Sequence, residues 1–188
     1  TASRAGLPTA LIVCEGRCTE PYYLGGLLEH LGVNAANAHI QTGSYKTDAL
    51  SLVRDARARF RSTPEYDHVF VVLDGDQAHL DEARREAGKG MAKARGGRVT
   101  VELIVTSPCF EYWLLLHFEY TTRGLRSVEA VRALEAHLTD YEKGDREIFA
   151  KVSGGLAMAE ANAAKGIRDI AATGAVSPRT DMPLLVAG

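Results

Sequence analysis

Cysteine is scarce in this chain: Cys14, Cys18 and Cys109 are the only three among 188 residues. They are too few and wrongly spaced for a four-ligand zinc site. An odd number without a secretory signal points to reduced thiols in the cytoplasm, not to a disulfide framework. Long apolar runs are missing as well. None approaches the roughly 20 residues that a membrane span needs, and the longest, around Trp113 to Leu116, is interrupted by Glu111 and His117. Thr1 to Pro8 has no apolar signal core, and no targeting claim is built on it. Neither sign of charge dominates: 22 Lys and Arg against 24 Asp and Glu leave a net −2. Nucleic-acid binders usually carry a basic surplus, so composition weakens that reading without removing it. A phosphate-cradling loop is absent too, because Gly43-Ser44-Tyr45-Lys46-Thr47 lacks the Gly-x-x-x-x-Gly-Lys spacing. No ATP site is visible, and there is no repeat or low-complexity tract.

What is present is a pair of apolar runs that stop at acids. Leu11-Ile12-Val13-Cys14 runs into Glu15-Gly16, and Val69-Phe70-Val71-Val72-Leu73 runs into Asp74-Gly75-Asp76. Continuous β-branched runs of this kind read as strands buried on both faces of a parallel sheet. Ligands of open α/β sheets lie outside the carboxyl ends of such strands. If the two are neighbours, three carboxylates converge at one edge. Like charges so close repel, and a hard divalent cation such as Mg²⁺ is the usual remedy. Asp74 and Asp76, two apart, can face one side, and Gly75 between them lets a phosphate approach the backbone. The same Asp-Gly-Asp also suits an ordinary turn, and Glu15 alone suits a surface or capping role.

The rest of the chain alternates. A helix is expected over Glu20 to Leu31, with Thr19 as N-cap, Pro21 in its first turn and Leu24, Leu27, Leu28 and Leu31 on one stripe. A short strand over His39 to Thr42 precedes a helix from Thr47 or Asp48 to Phe60. After the Asp-Gly-Asp strand come a polar helix over Leu80 to Ala94 and a strand over Val99 to Thr106. Strands and helices in alternation predict an α/β fold with a mostly parallel four-stranded sheet. From Ser107 onward only helices are expected: Phe110 to Phe118, one opened by Ser127, and one over Gly154 to Ala172, with a charged loop from Thr139 to Asp145. The division is therefore an α/β core over residues 1–108 and a helical extension over 109–188, packed as one unit.

The Glu-Gly and Asp-x-Asp elements resemble the Toprim domain of topoisomerases, primases and several nucleases. A closer resemblance is to the RloB-like family, linked to bacterial restriction and phage-defence loci. It rests on Glu15-Gly16-Arg17-Cys18-Thr19-Glu20 with Tyr22-Tyr23, on Ser107-Pro108-Cys109-Phe110-Glu111-Tyr112-Trp113-Leu114-Leu115-Leu116-His117-Phe118, and on Asp181-Met182-Pro183-Leu184-Leu185-Val186. The resemblance implies a Toprim-like core in which Asp74 and Asp76 bind Mg²⁺, or Mn²⁺ in its place, and Glu15 is a ligand or a general acid/base. It implies a metal-dependent nuclease acting on nucleic acid beside a separate AAA or ABC-like ATPase. The chain departs from many Toprim nucleases at Thr19, where they carry an acid, and Glu20 is the candidate replacement.

Two further residues join the candidates. Glu111 interrupts an apolar helix, where an unpaired charge is expensive to bury; it reads as either a structural ion pair or an organiser of the metal site. Lys46 reads as either a solvated loop lysine or a cation for a phosphate oxygen. His117 reads as a packed histidine, and Trp113 and Phe118 as core. Arginines and lysines cluster at Arg54 to Arg61 and Arg84 to Arg98, as solvated helix faces or as a phosphate-contacting surface. The competing function is a non-catalytic nucleic-acid- or partner-binding module. The sequence does not determine an oligomeric state.

Overall fold

The computed structural model describes residues 7–43 and 48–188. Its centre is a five-stranded sheet in the order β2 (Ala38–Thr42), β1 (Ala10–Cys14), β3 (His68–Asp74), β6 (Val101–Ser107), β7 (Arg179–Thr180). The first four strands are parallel, and β7 lies antiparallel along the edge of β6. The expected four-stranded sheet thus gains a strand from the far end of the chain. Two residues of antiparallel ladder carry no periodicity for a sequence reading to find. Thr180 is held there by the hydroxyl of Thr106, 2.7 Å away.

Both faces of the sheet are covered, which is why β1 and β3 are apolar without alternation. Leu11, Val13, Val69, Val71, Leu73, Val101 and Val105 point to one face. There they meet Leu52, Val53, Ala56 and Phe60 of α2 (Ala49–Ser62) and Ala83 and Ala87 of α3 (Leu80–Ala87). Ile12, Cys14, Phe70, Val72 and Ile104 point to the other. That face is packed by α1 (Thr19–His30), α4 (Phe110–Leu115), α5 (Ser127–His137), α6 (Ile148–Val152), α7 (Leu156–Thr173) and α8 (Met182–Ala187). Each large apolar side chain so buried contributes roughly 1.5–3 kcal/mol before ordering entropy is subtracted.

Several boundaries differ from expectation for local reasons. The helix expected to reach Ala94 ends at Ala87. The chain then turns through a two-stranded hairpin, β4 (Met91–Ala92) with β5 (Arg98–Val99), over Gly96 and Gly97 at φ +90° and +85°. Two consecutive glycines in that conformation suit a turn and not a helix. Helix α4 stops at Leu115, three residues early. Helix α2, expected to begin at Thr47 or Asp48, begins at Ala49 and is capped by Asp48, whose Oδ1 accepts from Ser51 N–H at 3.0 Å. Helix α1 takes Cys18 as N-cap without a side-chain bond, so Thr19 is its first residue and not its cap. Arg57, grouped above with solvated or phosphate-contacting arginines, is buried. Its guanidinium lies 3.1 Å from Glu86 Oε1 and donates to Lys89 O at 2.5 Å, fastening α2 to the end of α3.

Beneath the sheet's carboxyl edge lies an aromatic core. Tyr23 makes edge contacts with Phe110, Trp113, His117 and Phe149. His117 Nδ1 is 3.0 Å from the carbonyl of Trp113, which can only accept, so Nδ1 carries the proton. Nε2 is then left to accept from the Tyr23 hydroxyl at 3.0 Å. Burial drives the His117 pKa down to about 4 and raises that of Tyr23. Both are neutral packing groups, as expected for His117.

Candidate functional site

Strand β1 runs alongside β3 with Cys14 opposite Val72, and Glu15 N–H continues the ladder by donating to Val72 O at 2.9 Å. The register delivers the Glu15 carboxylate to the end of β3. Its Oε2 accepts from Asp74 N–H at 2.9 Å and its Oε1 from Gln77 Nε2 at 2.5 Å. Asp74 Oδ1 in turn accepts from Phe110 N–H at 2.8 Å, which ties β3 to the first turn of α4. Glu20, in the first turn of α1, folds back over Gly16. A Cβ there would collide with its carboxylate, so the glycine after Glu15 makes room for a second acid. Glu111 enters from α4, its Oε1 accepting from Tyr141 O–H at 2.9 Å and lying 3.3 Å from Lys143 Nζ. Glu15, Glu20, Asp74, Glu111 and Lys143 line one cleft of about 340 Å³, with Arg17, Cys18 and Thr19 on its wall.

The carboxylates are poorly matched to this setting. Burial, then repulsion from Glu15, Glu20, Glu111 and Asp76, pushes Asp74 up to about 8. Burial pushes Glu15 up to about 7; the Asp74 N–H opposes this, and Glu20 and Asp76 add to it. Glu20 is raised by burial and by Glu111. Glu111 is the exception. Burial raises it, but Lys143, backbone N–H groups and the Tyr141 hydroxyl outweigh that and hold it below the usual range. Carboxyl groups in a cleft perturbed by burial and by one another mark a functional-site candidate.

The structure therefore brings Glu15, Asp74, Glu20 and Glu111 together. Asp76 stands at the margin, exposed, its Oδ2 at 3.5 Å from Ser127 Oγ, yet near enough to raise Glu15 and Asp74. Lys46 lies outside the described residues. Gly75 has a packing reason of its own, since a Cβ there would come within 2.5 Å of Ser107 Cβ. Trp113 is fully buried, and Phe118 packs against the same core. Gln77, which donates to Glu15, escaped the sequence reading, and so did two residues of another segment, Lys143 and Tyr141. They sit in a charged loop with no periodicity, and nothing local announces that it crosses to Glu111.

Among the described residues, no three acidic, cysteine or histidine side chains are grouped to hold a single ion as they stand. The donor chemistry nevertheless fits a hard cation: the approaching groups are carboxylate oxygens, mutually repelling, and magnesium prefers oxygen ligands. No helix among the described residues is long and apolar enough to cross a membrane. A family profile described as RloB-like protein matches residues 10–188, so the match spans the sheet, the cleft and the carboxyl-terminal helices. No curated protein and no solved structure shows a significant match to the chain.

Proposed function

Because the chain belongs to the RloB-like protein family, we propose that it is a Mg²⁺-dependent nuclease, the effector of a bacterial phage-defence system. One observation carries this reading: Glu15, Glu20, Asp74 and Glu111 face one cleft at the strand ends, with Asp74 and Glu15 held up at about 8 and about 7. Uncompensated acids at that edge are what a cation site for phosphate chemistry requires.

Glu15 and Asp74 would hold the ion, with Asp76 at the margin and Glu20 and Glu111 completing the acidic wall; Mn²⁺ would substitute for Mg²⁺. Such an ion, when bound, polarises a phosphoryl oxygen and lowers the pKa of a water. The protein's own part is positioning. Gln77 and the Asp74 N–H fix Glu15, the Phe110 N–H fixes Asp74, and Tyr141 fixes Glu111. Glu20, buried with its pKa raised, is suited to take a proton from an attacking water and release it later. With a net charge of −2, independent affinity for a polyanion should be low and salt-sensitive. A separate AAA or ABC-like ATPase would complete the assembly.

The test is incubation of the chain, with and without such an ATPase, with labelled DNA, transfer RNA and messenger RNA in Mg²⁺, Mn²⁺ or EDTA. Cleavage that needs the metal and is lost in Asp74→Asn is expected. Binding without cleavage under every condition would instead favour a non-catalytic binding module.

A further inference from the structure

We propose that Lys143 is a catalytic residue of the acidic cleft, the cation that contacts the phosphate undergoing cleavage. The inference rests on the nuclease reading and adds to it a residue that no motif marks. Lys143 lies in the loop joining α5 to α6, and that loop is fastened at three places. Tyr141, itself buried, donates to Glu111. Gly144 N–H reaches Thr19 Oγ1 at 3.4 Å, with the glycine at φ +92° as it passes over Cys18. Lys151 Nζ lies 2.6 Å from both Asp140 and Asp145. The loop is thus a strap across the cleft wall, and it holds an ammonium 3.3 Å from Glu111 Oε1.

The asymmetry of this pair is informative. The Glu111 side chain is 5% exposed, whereas that of Lys143 is 74% exposed. Glu111 already receives the Tyr141 hydroxyl, so it does not depend on Lys143 alone. An ion pair whose cation stays so exposed is weakened by solvent and does not by itself account for a strap tied down at three points. The cleft's electrostatics supply a better reason. A phosphodiester is an anion, and Glu15, Glu20, Asp74 and Glu111 oppose its entry. Lys143 stands on the solvent side, where a polymer arrives, and a lysine on its flexible four-carbon stem can swing from Glu111 to a phosphate oxygen. In that role it makes and breaks no bond. It stabilises charge that develops on the non-bridging oxygens as water attacks phosphorus and the leaving oxygen departs with the bonding electrons.

The experiment compares the parent chain with Lys143→Met, Lys143→Arg and the double variant Lys143→Met with Glu111→Gln, on a substrate the parent cleaves. Lys143→Met should lose roughly 100-fold in kcat, with KM within about threefold. Lys143→Arg should recover part of the loss. Melting temperature should stay within about 2 °C of the parent. Mg²⁺ affinity by calorimetry should be unchanged or tighter, because a competing positive charge has gone. Cleavage by Lys143→Met at the parent rate would overturn the proposal. So would loss of metal affinity or melting temperature in step with activity, or recovery of activity in the double variant, since each makes Lys143 a counter-ion or a support. A parent inactive with every metal and nucleic acid overturns the nuclease reading first, and this inference with it.

Discussion

Helix α1, through Glu20 and Tyr23 three residues apart, and the segment from α4 to His117, through Glu111 and His117 six residues apart, each contribute to two polar groupings. Upward, Glu20 and Glu111 face the cleft; downward, Tyr23 and His117 meet in the core. The lower grouping is neutral, its hydroxyl and imidazole satisfied by each other and by a backbone carbonyl, and only the Trp113 indole N–H lacks a partner. In the upper grouping burial and a neighbouring acid both disfavour the charge on Glu20, whereas Lys143 and the Tyr141 hydroxyl support that on Glu111. Polar groups buried for packing find partners that cancel their cost. Acids left in mutual repulsion lower the stability of the fold and mark a candidate site, which the proposed function assigns to a cation. The two sets share helices and differ in how far their polar groups are satisfied.

Truncation of the lower grouping should have the largest effect. Trp113 is fully enclosed, so Trp113→Ala should cost about 3–5 kcal/mol of unfolding free energy, measured by urea denaturation. A loss below about 1 kcal/mol would mean that the core is not packed as described.

The pH dependence of the metal-free protein separates the groupings by sign. His117 titrates near 4 in the fold against an ordinary 6.5, so the unfolded chain takes up the proton first. Its contribution is complete above about 6.5 and falls by up to about 3 kcal/mol as the pH drops towards 4. Asp74 and Glu15 act oppositely. Their folded values of about 8 and about 7 exceed the ordinary 3.8 and 4.5, so the folded chain holds their protons more tightly. Their contribution is present in full at low pH and is lost as the pH rises through 7 and 8. Melting temperature without metal should therefore climb as the pH falls from 9 to 6.5, and the gain should be offset below that as His117 begins to resist protonation. A monotonic rise with pH across this range would contradict the assignment of Asp74.

The smallest effect sharpens the comparison most. Asp74→Asn keeps an oxygen for the Phe110 N–H and removes one repelling charge. At pH 8 it should raise the stability of the metal-free protein by about 1–2 kcal/mol while abolishing metal-dependent stabilisation. A destabilised variant would place Asp74 with the structural polar groups below.

Much of this was legible in the chain. The apolar runs of β1 and β3, their acidic ends and the leucine stripe of α1 express local periodicity, and local periodicity survives folding whenever a strand or helix buries a defined face. The RloB-like membership is likewise carried by residues in order along the sequence. Glycine chemistry was half legible. Gly96 and Gly97 read as a turn and do form one, between β4 and β5, but the close approach of Glu20 to Gly16 and the need for Gly75 beside Ser107 exist only once the backbone has folded.

Other features required the tertiary structure, because they depend on contacts between residues far apart. Strand β7 completes the sheet from residues 179–180, more than seventy positions after its partner β6. Arg57 is buried because α3 happens to end against it. Glu111 faces the cleft because Asp74 anchors the start of α4, and Lys143 reaches it because Tyr141 and Gly144 draw their loop across. The acids at the strand ends are written in the sequence. Which of them share one cleft, and which cation stands among them, is decided by packing, since charge acts through space and not along the chain.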